Sequence, residues 1–429
     1  MNGNLIIKNA AELVTCSGFS AKKGDQMSDL KIIPDGAVII KEGIIEAVGT
    51  TRDVFAELEQ NETDLSGFDI IDAANRAVLP GFVDSHTHFV FGGYRADEFS
   101  WRLRGDSYME IMSRGGGILN TVQATRKAAM EELVQLGIKR LDSMLSFGVT
   151  TVEGKSGYGL DYDTEIKQLE VMAHLDKIHY VDIAPTFLGA HAVPEAYKGK
   201  EDEFIEFIIS DLLPQVVERE LAEFCDIFCE QNVFSIAQSR SLLTGAKNLG
   251  LGIKLHADEI VPTGGAELAA ELEAISADHL LQASAEGIRQ MAAAGVVATL
   301  LPATAFSLKE PYADGRSMID SNCAVALATD FNPGSCFTES IPLIFALATL
   351  YMDITTEEAV TALTINAAAA IDRAKTIGSL DVGKYGDLVV LEYPSYKFIP
   401  YHIGISTVDK VVKQGNLVFD KEKGGVTYC

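Results

Sequence analysis

Two histidines separated by one residue, His86 and His88, follow an apolar segment in the stretch LPGFVDSHTHFVF. Side chains two positions apart on a strand point to the same side, so both imidazoles would face one point where that strand ends. A divalent metal ion is a group that such a pair commonly binds. The motif alone leaves a second interpretation open, in which both are core histidines satisfied by backbone groups.

His256 and Asp330 would complete a set of metal ligands, because each follows another apolar segment. Burying a carboxylate without a partner is costly, which favours a cation beside Asp330 over the alternative role of a helix N-cap. His256 could instead be a satisfied core residue. Three imidazoles and one carboxylate suit Zn²⁺, and iron is also compatible. Such a set leaves room for a water molecule, whose pKa the metal would lower from about 15.7 toward about 7.

Three further residues at predicted strand ends could transfer protons or polarise a substrate. Glu259 follows His256 closely and could act as a general base or proton shuttle, the alternative being a solvated loop acid. His279 could accept a proton or bind the water molecule, or it could be purely structural. His191, in the stretch FLGAH, is a candidate electrophile that would polarise a substrate oxygen.

Arg95 and Tyr158 lie in predicted loops that could contact a substrate. In an acidic protein, an arginine near the mouth of the site suits a substrate carboxylate, which a guanidinium can hold with two hydrogen bonds. The alternative for Arg95 is a surface salt bridge with Asp97 or Glu98. Tyr158, flanked by glycines in KSGYG, could donate a hydrogen bond to the substrate.

These residues follow short apolar segments that alternate with longer helical patterns in the middle of the chain. The eight predicted strands are 79–84, 148–153, 180–187, 225–230, 252–256, 275–279, 295–301 and 324–329. Eight such units predict an α/β fold, a TIM-type (β/α)8 barrel whose active site lies at the C-terminal strand ends. We expect residues 79–375 to form this catalytic barrel. Residues 1–78 and 376–429 are strand-like and would form a small β-sandwich domain from both chain ends.

The composition argues against several classes of partner. The chain has 429 residues and a net charge of −26, so binding to nucleic acids or anionic membranes is not expected. The N-terminus shows no secretory signal, and the longest apolar stretch, around 291–306, is interrupted by glycine and proline and is too short to span a bilayer. Six scattered cysteines are interpreted as reduced thiols, so we expect a cytoplasmic protein.

A series of motifs runs in order through nearly the whole chain. They are PGFVDSHTHFVF, EGKSGYGLD, FLGAHAVP, CDIFCEQNVFS, KLHADE, SADHLL, ATLLPATAF, ALATDFNPGS and PYHIGI. The first motif, the eight βα units and the aspartate after the last strand resemble the amidohydrolase superfamily of metal-dependent barrels. The whole set is similar to the imidazolonepropionase family within it. Each motif alone is typical only of the superfamily, whereas their combination and order are specific.

The resemblance implies hydrolysis of a small anionic imidazolone, 4-imidazolone-5-propanoate, to N-formimidoyl-L-glutamate in histidine degradation. It also implies homodimers. One Zn²⁺, or iron in some members, would be held by His86, His88, His256 and Asp330. Substrate or product contacts are implied for Arg95, Tyr158, His191, Glu259, Asn332, Gly334 and Ser335. The expected catalytic residues are Glu259, His191, His279 and Asp330.

The expected reaction uses one metal ion rather than two. No predicted strand places an obvious lysine that would bridge two ions, and Lys155, the nearest candidate, lies in a glycine-rich context that predicts a loop. Activated water would attack the ring carbonyl, and a proton would pass to the leaving ring nitrogen. Two alternatives are another amidohydrolase, such as a nucleobase deaminase, and a non-catalytic barrel scaffold, which the presence of all the expected ligand types disfavours.

Overall fold

The computed structural model describes residues 3–426 apart from 61, 63, 107–109, 111–113 and 115. Its strands are β1 (Leu5–Val14), β2 (Ile32–Lys41), β3 (Ile44–Thr50), β4 (Asp69–Asp72), β5 (Val78–Pro80), β6 (Phe82–Asp84), β7 (Val149–Lys155), β8 (Asp182–Ala190), β9 (Phe224–Cys229), β10 (Gly252–Ala257), β11 (Ser276–His279), β12 (Val297–Leu300), β13 (Ala324–Leu327), β14 (Leu388–Leu391), β15 (Val408–Lys413), β16 (Asn416–Asp420) and β17 (Gly425–Val426).

The eight strands β6 to β13 form one parallel sheet in which neighbours along the chain are neighbours in space. Helices connect the successive strands, so each strand runs in the same direction. The predicted barrel is confirmed, and the predicted strand positions agree closely with those observed. Its C-terminal strand ends therefore meet at one face, where a barrel enzyme carries its active site.

The first and last barrel strands meet just beyond their C-terminal ends. Thr87 and Phe331 form an isolated parallel bridge, in which the backbone N–H of His88 donates to Phe331 O at 2.9 Å and that of Asp330 donates to His86 O at 3.0 Å. These two hydrogen bonds nearly close the barrel. They also hold the predicted metal ligands of the first and last strands side by side.

The predicted strand over residues 79–84 is divided between two sheets. β5 pairs with β14 outside the barrel, whereas β6 pairs with β7 inside it. The chain changes sheets at Gly81, where a Cβ atom would lie 2.3 Å from Thr150 Oγ1. Only glycine allows so close an approach of backbone to side chain. The backbone N–H of Gly81 still donates to Asp387 O of the terminal region, whereas that of Phe82 donates to Gly148 O beside β7.

The strands from the two chain ends, β1 to β5 and β14 to β17, form a separate nine-stranded sheet. β5 joins the two halves, because it pairs with β1 on one side and with β14 on the other. Buried apolar residues from both chain ends, including Leu5, Val38, Leu388 and Val412, pack in one cluster. A second cluster, with Ile6, Ile39 and Val54, packs the helix Thr51–Gln60 against β1 and β2. The two chain ends thus share one continuous hydrogen-bonded sheet with apolar clusters packed against it.

Most of the helices pack around the barrel, whereas Thr51–Gln60 packs on β2 and β3 of the terminal sheet. Those described are Thr51–Gln60, Ala96–Leu103, Ile118–Lys127, Met130–Ser146, Tyr162–Ile178, Glu201–Phe207, Leu213–Glu218, Ile236–Asn248, Gly265–Glu271, Ala285–Ala294, Pro302–Leu308, Gly315–Asp320, Ile341–Tyr351, Thr356–Ala362, Ile365–Ala370 and Phe398–Tyr401. Asp161, Ser235 and Thr355 each accept a hydrogen bond from the first turn of the helix that follows, which satisfies an otherwise unpaired N–H group.

Cysteines 16, 225, 229, 323 and 336 are free and buried, and Cys429 lies outside the described residues. Among the described residues, no helix has both the length and the apolar character needed to cross a lipid bilayer.

Lys413 ties the terminal sheet to the start of the barrel strands. Its ammonium donates to Asp182 Oδ2 and Asp387 Oδ2, each at 2.6 Å, and to Thr150 O at 3.0 Å. The side chain is 6% exposed. Removing one partner of a buried ion pair is costly because the remaining charge has no compensation. The contact between the two sheets therefore depends on this ammonium.

We expect Lys413→Met to lower the free energy of unfolding by about 3 kcal/mol, because two carboxylates would face each other without a cation. The measurement is the midpoint of thermal or denaturant unfolding. Lys421→Met is the matched control, since its ion pair with Glu392 is exposed and such pairs contribute about 1 kcal/mol or less. Equal effects of the two substitutions would contradict the assigned role of Lys413.

Candidate active site

One cavity of about 740 Å³ opens at the C-terminal face of the barrel. The predicted site residues that line it are His88, Arg95, Tyr158, His191, His256, Glu259, His279, Asp330, Asn332, Gly334 and Ser335. His86 is completely buried among them. Residues from six different strand ends are thus brought together, as the barrel prediction requires.

His86 lies at the centre of the possible metal ligands. Its Nε2 is 3.6 Å from Asp330 Oδ1, and His88 Nε2 is 3.5 Å from the same oxygen. His86, His256 and His279 form a second group whose ligand atoms lie within 4.8 Å of one another. His279 therefore lies within the same distance limit as the predicted ligand His256, although its ring centroid is farther from that of His86, at 5.4 Å against 4.6 Å.

The donor atoms of this cluster fit a divalent cation. Among the described residues, the buried atoms His86 Nε2 and His256 Nε2 have no hydrogen-bond partner. A buried polar atom without a partner is unfavourable, whereas imidazole nitrogens and a carboxylate oxygen are the ligands that Zn²⁺ and iron use. A cation held between these side chains would satisfy the unpaired nitrogens.

Two aspartates behind the cluster orient its imidazoles. Asp278 Oδ2 forms a hydrogen bond with His86 Nδ1 at 2.7 Å. Asp226 Oδ2 lies 2.9 Å from His256 Nδ1 as an ion-pair contact that lacks hydrogen-bond geometry among the described residues. A carboxylate on Nδ1 keeps the proton there and leaves the Nε2 lone pair free for a metal. The sequence analysis missed both aspartates. Their signal was a charged residue inside an apolar strand, in the stretches FCDIFC and SADH.

Burial favours the neutral form of the clustered histidines. Burial, with the charge of Lys155, holds the pKa of His86 well below its usual range, and burial with His191 does the same for His88. Burial opposes ionisation of His256 as well, but Asp226 raises its pKa. Burial raises the pKa of Asp330 to about 6, against a hydrogen bond from Thr304. Neutral imidazoles are the form that binds metals.

Glu259 and His279 form a pair at the edge of the cluster. Glu259 Oε1 lies 3.6 Å from His279 Nδ1. Burial, and after it the charge of Asp330, raises the pKa of Glu259 to about 8. A carboxyl group with such a pKa can hold a proton at neutral pH and release it. This geometry suits the predicted proton shuttle.

His191 is arranged to accept a hydrogen bond rather than to donate one. Its Nδ1 lies 3.1 Å from the carbonyl oxygen of Gly157, so Nδ1 must carry the proton. Burial lowers the pKa of His191 to about 3, which keeps the ring neutral and leaves Nε2 as an acceptor. An electrophile would need a proton on Nε2 instead, and that role of His191 stays a prediction. Tyr158, 3% exposed, remains a donor because burial raises its pKa.

Arg95 pairs with Glu98, as one sequence alternative foresaw, but the pair lines the cavity instead of the outer surface. Arg95 Nε donates to Glu98 Oε2 at 2.8 Å, and Nη2 bonds the other carboxylate oxygen. Arg95 Nη1 lies against Gly334, where a Cβ atom would come within 2.2 Å of it. The absence of a side chain at Gly334 therefore makes room for the guanidinium.

Arg102 is a second guanidinium of the cavity that the sequence analysis missed. Its Nη1 donates to Gly334 O at 3.4 Å, and its Nε and Nη2 are buried without a partner among the described residues. The signal was its spacing of seven residues from Arg95, which places both at one face of the helix Ala96–Leu103. With Glu98, the two arginines carry one net positive charge.

The loop after β13 is held by its own side chains. Asn332 Oδ1 accepts from the N–H groups of Gly334 and Ser335, both at 2.8 Å, and its Nδ2 donates to Asp330 O and Ser335 Oγ. These bonds occupy both ends of the Asn332 amide. They hold the shape of the cavity wall, which Asn332 itself lines, and the substrate contact of this residue stays a prediction.

Lys155 is not in a loop, contrary to the sequence-based prediction. It is the last residue of β7, which also contains Gly154. A Cβ at residue 154 would lie 2.7 Å from Phe89, so packing rather than a turn accounts for this glycine. The Lys155 ammonium is fully buried and lies 2.8 Å from both Glu153 Oε1 and Asp226 Oδ2. Bound in this way, it is not free to bridge metal ions.

Comparisons with known proteins agree with this architecture. The model of the amidohydrolase family matches residues 77–418. An imidazolonepropionase of Clostridium tetani is 62% identical over 98% of this chain and 99% of its own length. An imidazolonepropionase of Parabacteroides distasonis is 57% identical over 97% of this chain and 99% of its own.

Solved structures share the fold at much lower identity. An adenosine deaminase from Xanthomonas campestris with bound zinc has a TM-score of 0.70 at 18% identity, over 96% of this chain and 92% of its own. A 5-methylcytosine deaminase from Klebsiella pneumoniae has a TM-score of 0.71 at 16% identity, over 99% and 100%. At such identities the similarity shows the fold alone. By its family match and its near full-length relatives, the chain belongs to the amidohydrolase family and, within it, to the imidazolonepropionase family.

Proposed function

We propose that this protein hydrolyses the ring C–N bond of 4-imidazolone-5-propanoate and releases N-formimidoyl-L-glutamate, a step of histidine degradation. One observation carries the proposal: the same cavity holds the histidine and aspartate cluster and the guanidinium pair Arg95 and Arg102. A cyclic amide with a carboxylate arm needs both features. The names of the relatives in Clostridium tetani and Parabacteroides distasonis support this substrate.

The carboxylate arm of the substrate is assigned to the two arginines. The chain carries a net charge of −26, so an anion needs a local positive charge to bind. Arg95, Arg102 and Glu98 together provide one positive charge, and the Nε and Nη2 groups of Arg102, which have no partner in the described part of the chain, provide donors. Charge-assisted hydrogen bonds from guanidinium groups suit a carboxylate. Holding the arm in place would orient the ring for reaction.

The proposed cofactor is one Zn²⁺, with iron as the alternative, held by His86, His88, His256 and Asp330. When bound, such an ion supplies Lewis acidity for the amide carbonyl and lowers the pKa of water. The proposal of one ion is supported by Lys155, whose ammonium is bound by carboxylates. The same ion would pair the buried Nε2 atoms of His86 and His256, for which the described residues offer no hydrogen-bond partner.

The remaining residues bind the ring and move protons. Tyr158 would donate to a polar atom of the ring, and His191 Nε2 would accept from a ring N–H group. Water adds its oxygen to the carbonyl carbon, the ring C–N bond breaks, and the leaving nitrogen takes up a proton. Glu259, which lies 3.6 Å from His279, would deliver that proton, and the new carboxylate is released with the product.

We further propose a cytoplasmic homodimer that does not act on nucleic acids or membranes. The strong negative charge supports the last two points, and the five free cysteines are consistent with a reducing compartment.

The direct test is an assay of the purified protein. We expect loss of imidazolone absorbance with 4-imidazolone-5-propanoate and formation of N-formimidoyl-L-glutamate. The alternative considered from the sequence, deamination of a nucleobase, is assayed in parallel as ammonia release from adenine, cytosine and their nucleosides. Ammonia release without imidazolone turnover would reject the proposed substrate.

His86→Ala should abolish activity and metal content together, because His86 lies within reach of every other possible ligand in the cluster. Metal content is measured on the purified protein by inductively coupled plasma mass spectrometry. His402→Ala, which changes an exposed histidine of the C-terminal region, should retain both. A His86→Ala protein that is inactive but still loaded with metal would contradict ligation by His86.

Arg95→Ala should raise KM about tenfold or more with a smaller change in kcat, since charge-assisted hydrogen bonds contribute about 1.5–3 kcal/mol. The matched control is Arg240→Ala, which removes an arginine bound to Glu271 through the same two nitrogens at an exposed site. Steady-state kinetics with the imidazolone measures both. An unchanged KM for Arg95→Ala would reject its role as carboxylate anchor.

A further inference from the structure

Lys155 has a position that the proposed reaction leaves unexplained. Its ammonium is completely buried at the C-terminal end of β7. The nitrogen lies 2.8 Å from Asp226 Oδ2 on β9 and 3.5 Å from Asp278 Oδ2 on β11. One cation thus contacts two carboxylates that come from separate barrel strands.

The same two carboxylate oxygens contact the proposed metal ligands. Asp226 Oδ2 lies 2.9 Å from His256 Nδ1, and Asp278 Oδ2 lies 2.7 Å from His86 Nδ1. Two series of contacts therefore start at the Lys155 ammonium, one through Asp226 to His256 and one through Asp278 to His86; each is called an arm below. Both imidazoles turn their other nitrogen, Nε2, away from these carboxylates, and both Nε2 atoms are without a hydrogen-bond partner among the described residues.

The ammonium is itself fixed from the opposite side. Lys155 Nζ lies 2.8 Å from Glu153 Oε1, and Lys254 Nζ binds Glu153 Oε2 at 2.6 Å and Ser85 O at 3.2 Å. All of these charged side chains have zero exposure. Water cannot take the place of a lost partner at such a depth, so each charge depends on its neighbours.

We propose that Lys155 is a positioning residue of the metal site. It holds Asp226 and Asp278 where they fix the rings of His256 and His86. Without the ammonium, the two carboxylates repel each other, Asp226 loses a hydrogen-bond donor and Asp278 loses an ion-pair partner. The histidine rings then lose their fixed orientation. The inference rests on the metal site of the proposed function.

The test is the zinc affinity of Lys155→Met, measured by titrating metal-free protein against a chromophoric chelator. We expect the Kd for zinc to rise about 10- to 100-fold, the usual effect of losing a group that orients metal ligands. The direction of the change in the zinc Kd separates an electrostatic effect from lost positioning. Removing a positive charge near a cation would by itself strengthen binding, so weaker binding must come from lost positioning. The visible spectrum of the cobalt-substituted protein should change as well, because it reports ligand geometry.

Lys413→Met is the matched control. Lys413 also places a buried ammonium between two aspartates, Asp182 and Asp387, but at the start of the barrel strands. Its substitution should destabilise the fold and leave the zinc Kd and the cobalt spectrum unchanged. A similar rise of Kd in both variants would mean that zinc binding only follows stability, which would overturn the inference.

The remaining outcomes are distinct. Unchanged or tighter zinc binding by a folded Lys155→Met protein overturns the inference and leaves the proposed function intact, whereas a wild-type protein that binds no divalent ion removes both. If Lys155→Met does not fold, Asp226→Asn and Asp278→Asn are measured instead. Each interrupts one arm, so each must weaken zinc binding, and wild-type affinity in either variant overturns the inference.

Discussion

The hydrogen bonds that close the barrel run through the residues proposed to hold the metal. The N–H of His88 donates to Phe331 O, and the N–H of Asp330 donates to His86 O. Just before them, Asp84 accepts from the N–H and hydroxyl of Thr329, 245 residues away in the chain. Closure of the barrel and assembly of the cluster are therefore one geometric event. A shift of register by one residue would turn the ligands away from each other.

Beneath the cluster the barrel interior is charged, which is unusual for a core. Glu153, Asp226 and Asp278 are buried with Lys155 and Lys254, and removing five charges from water costs more than their attraction returns unless every hydrogen bond is made. Such a layer adds little stability compared with apolar packing. This charged layer instead orients the histidine rings, because hydrogen bonds depend on direction and apolar contacts do not.

The sequence allowed the barrel and the location of the cluster to be predicted, because alternating apolar segments mark strands and the C-terminal strand ends share one face. The prediction of a loop at Lys155 was wrong, because Gly154 beside it packs beneath Phe89 within a strand. Contacts across the barrel, such as Asp278 with His86, join strands distant in the chain and leave no local pattern. The role of His191 depends on which ring nitrogen faces Gly157 O, and only coordinates show this.

The sheet built from both chain ends makes the N-terminal strands depend on the C-terminal ones. β5 has β14 as its second neighbour, and on the ribosome β14 emerges only after the whole barrel. Until then β5 presents an open hydrogen-bonding edge to other nascent chains, the usual starting point of aggregation. The last strands to be synthesised supply Lys413, whose ammonium supports β7 and β8 from below. Premature termination near the C-terminus would thus remove support from the entire barrel instead of trimming its periphery.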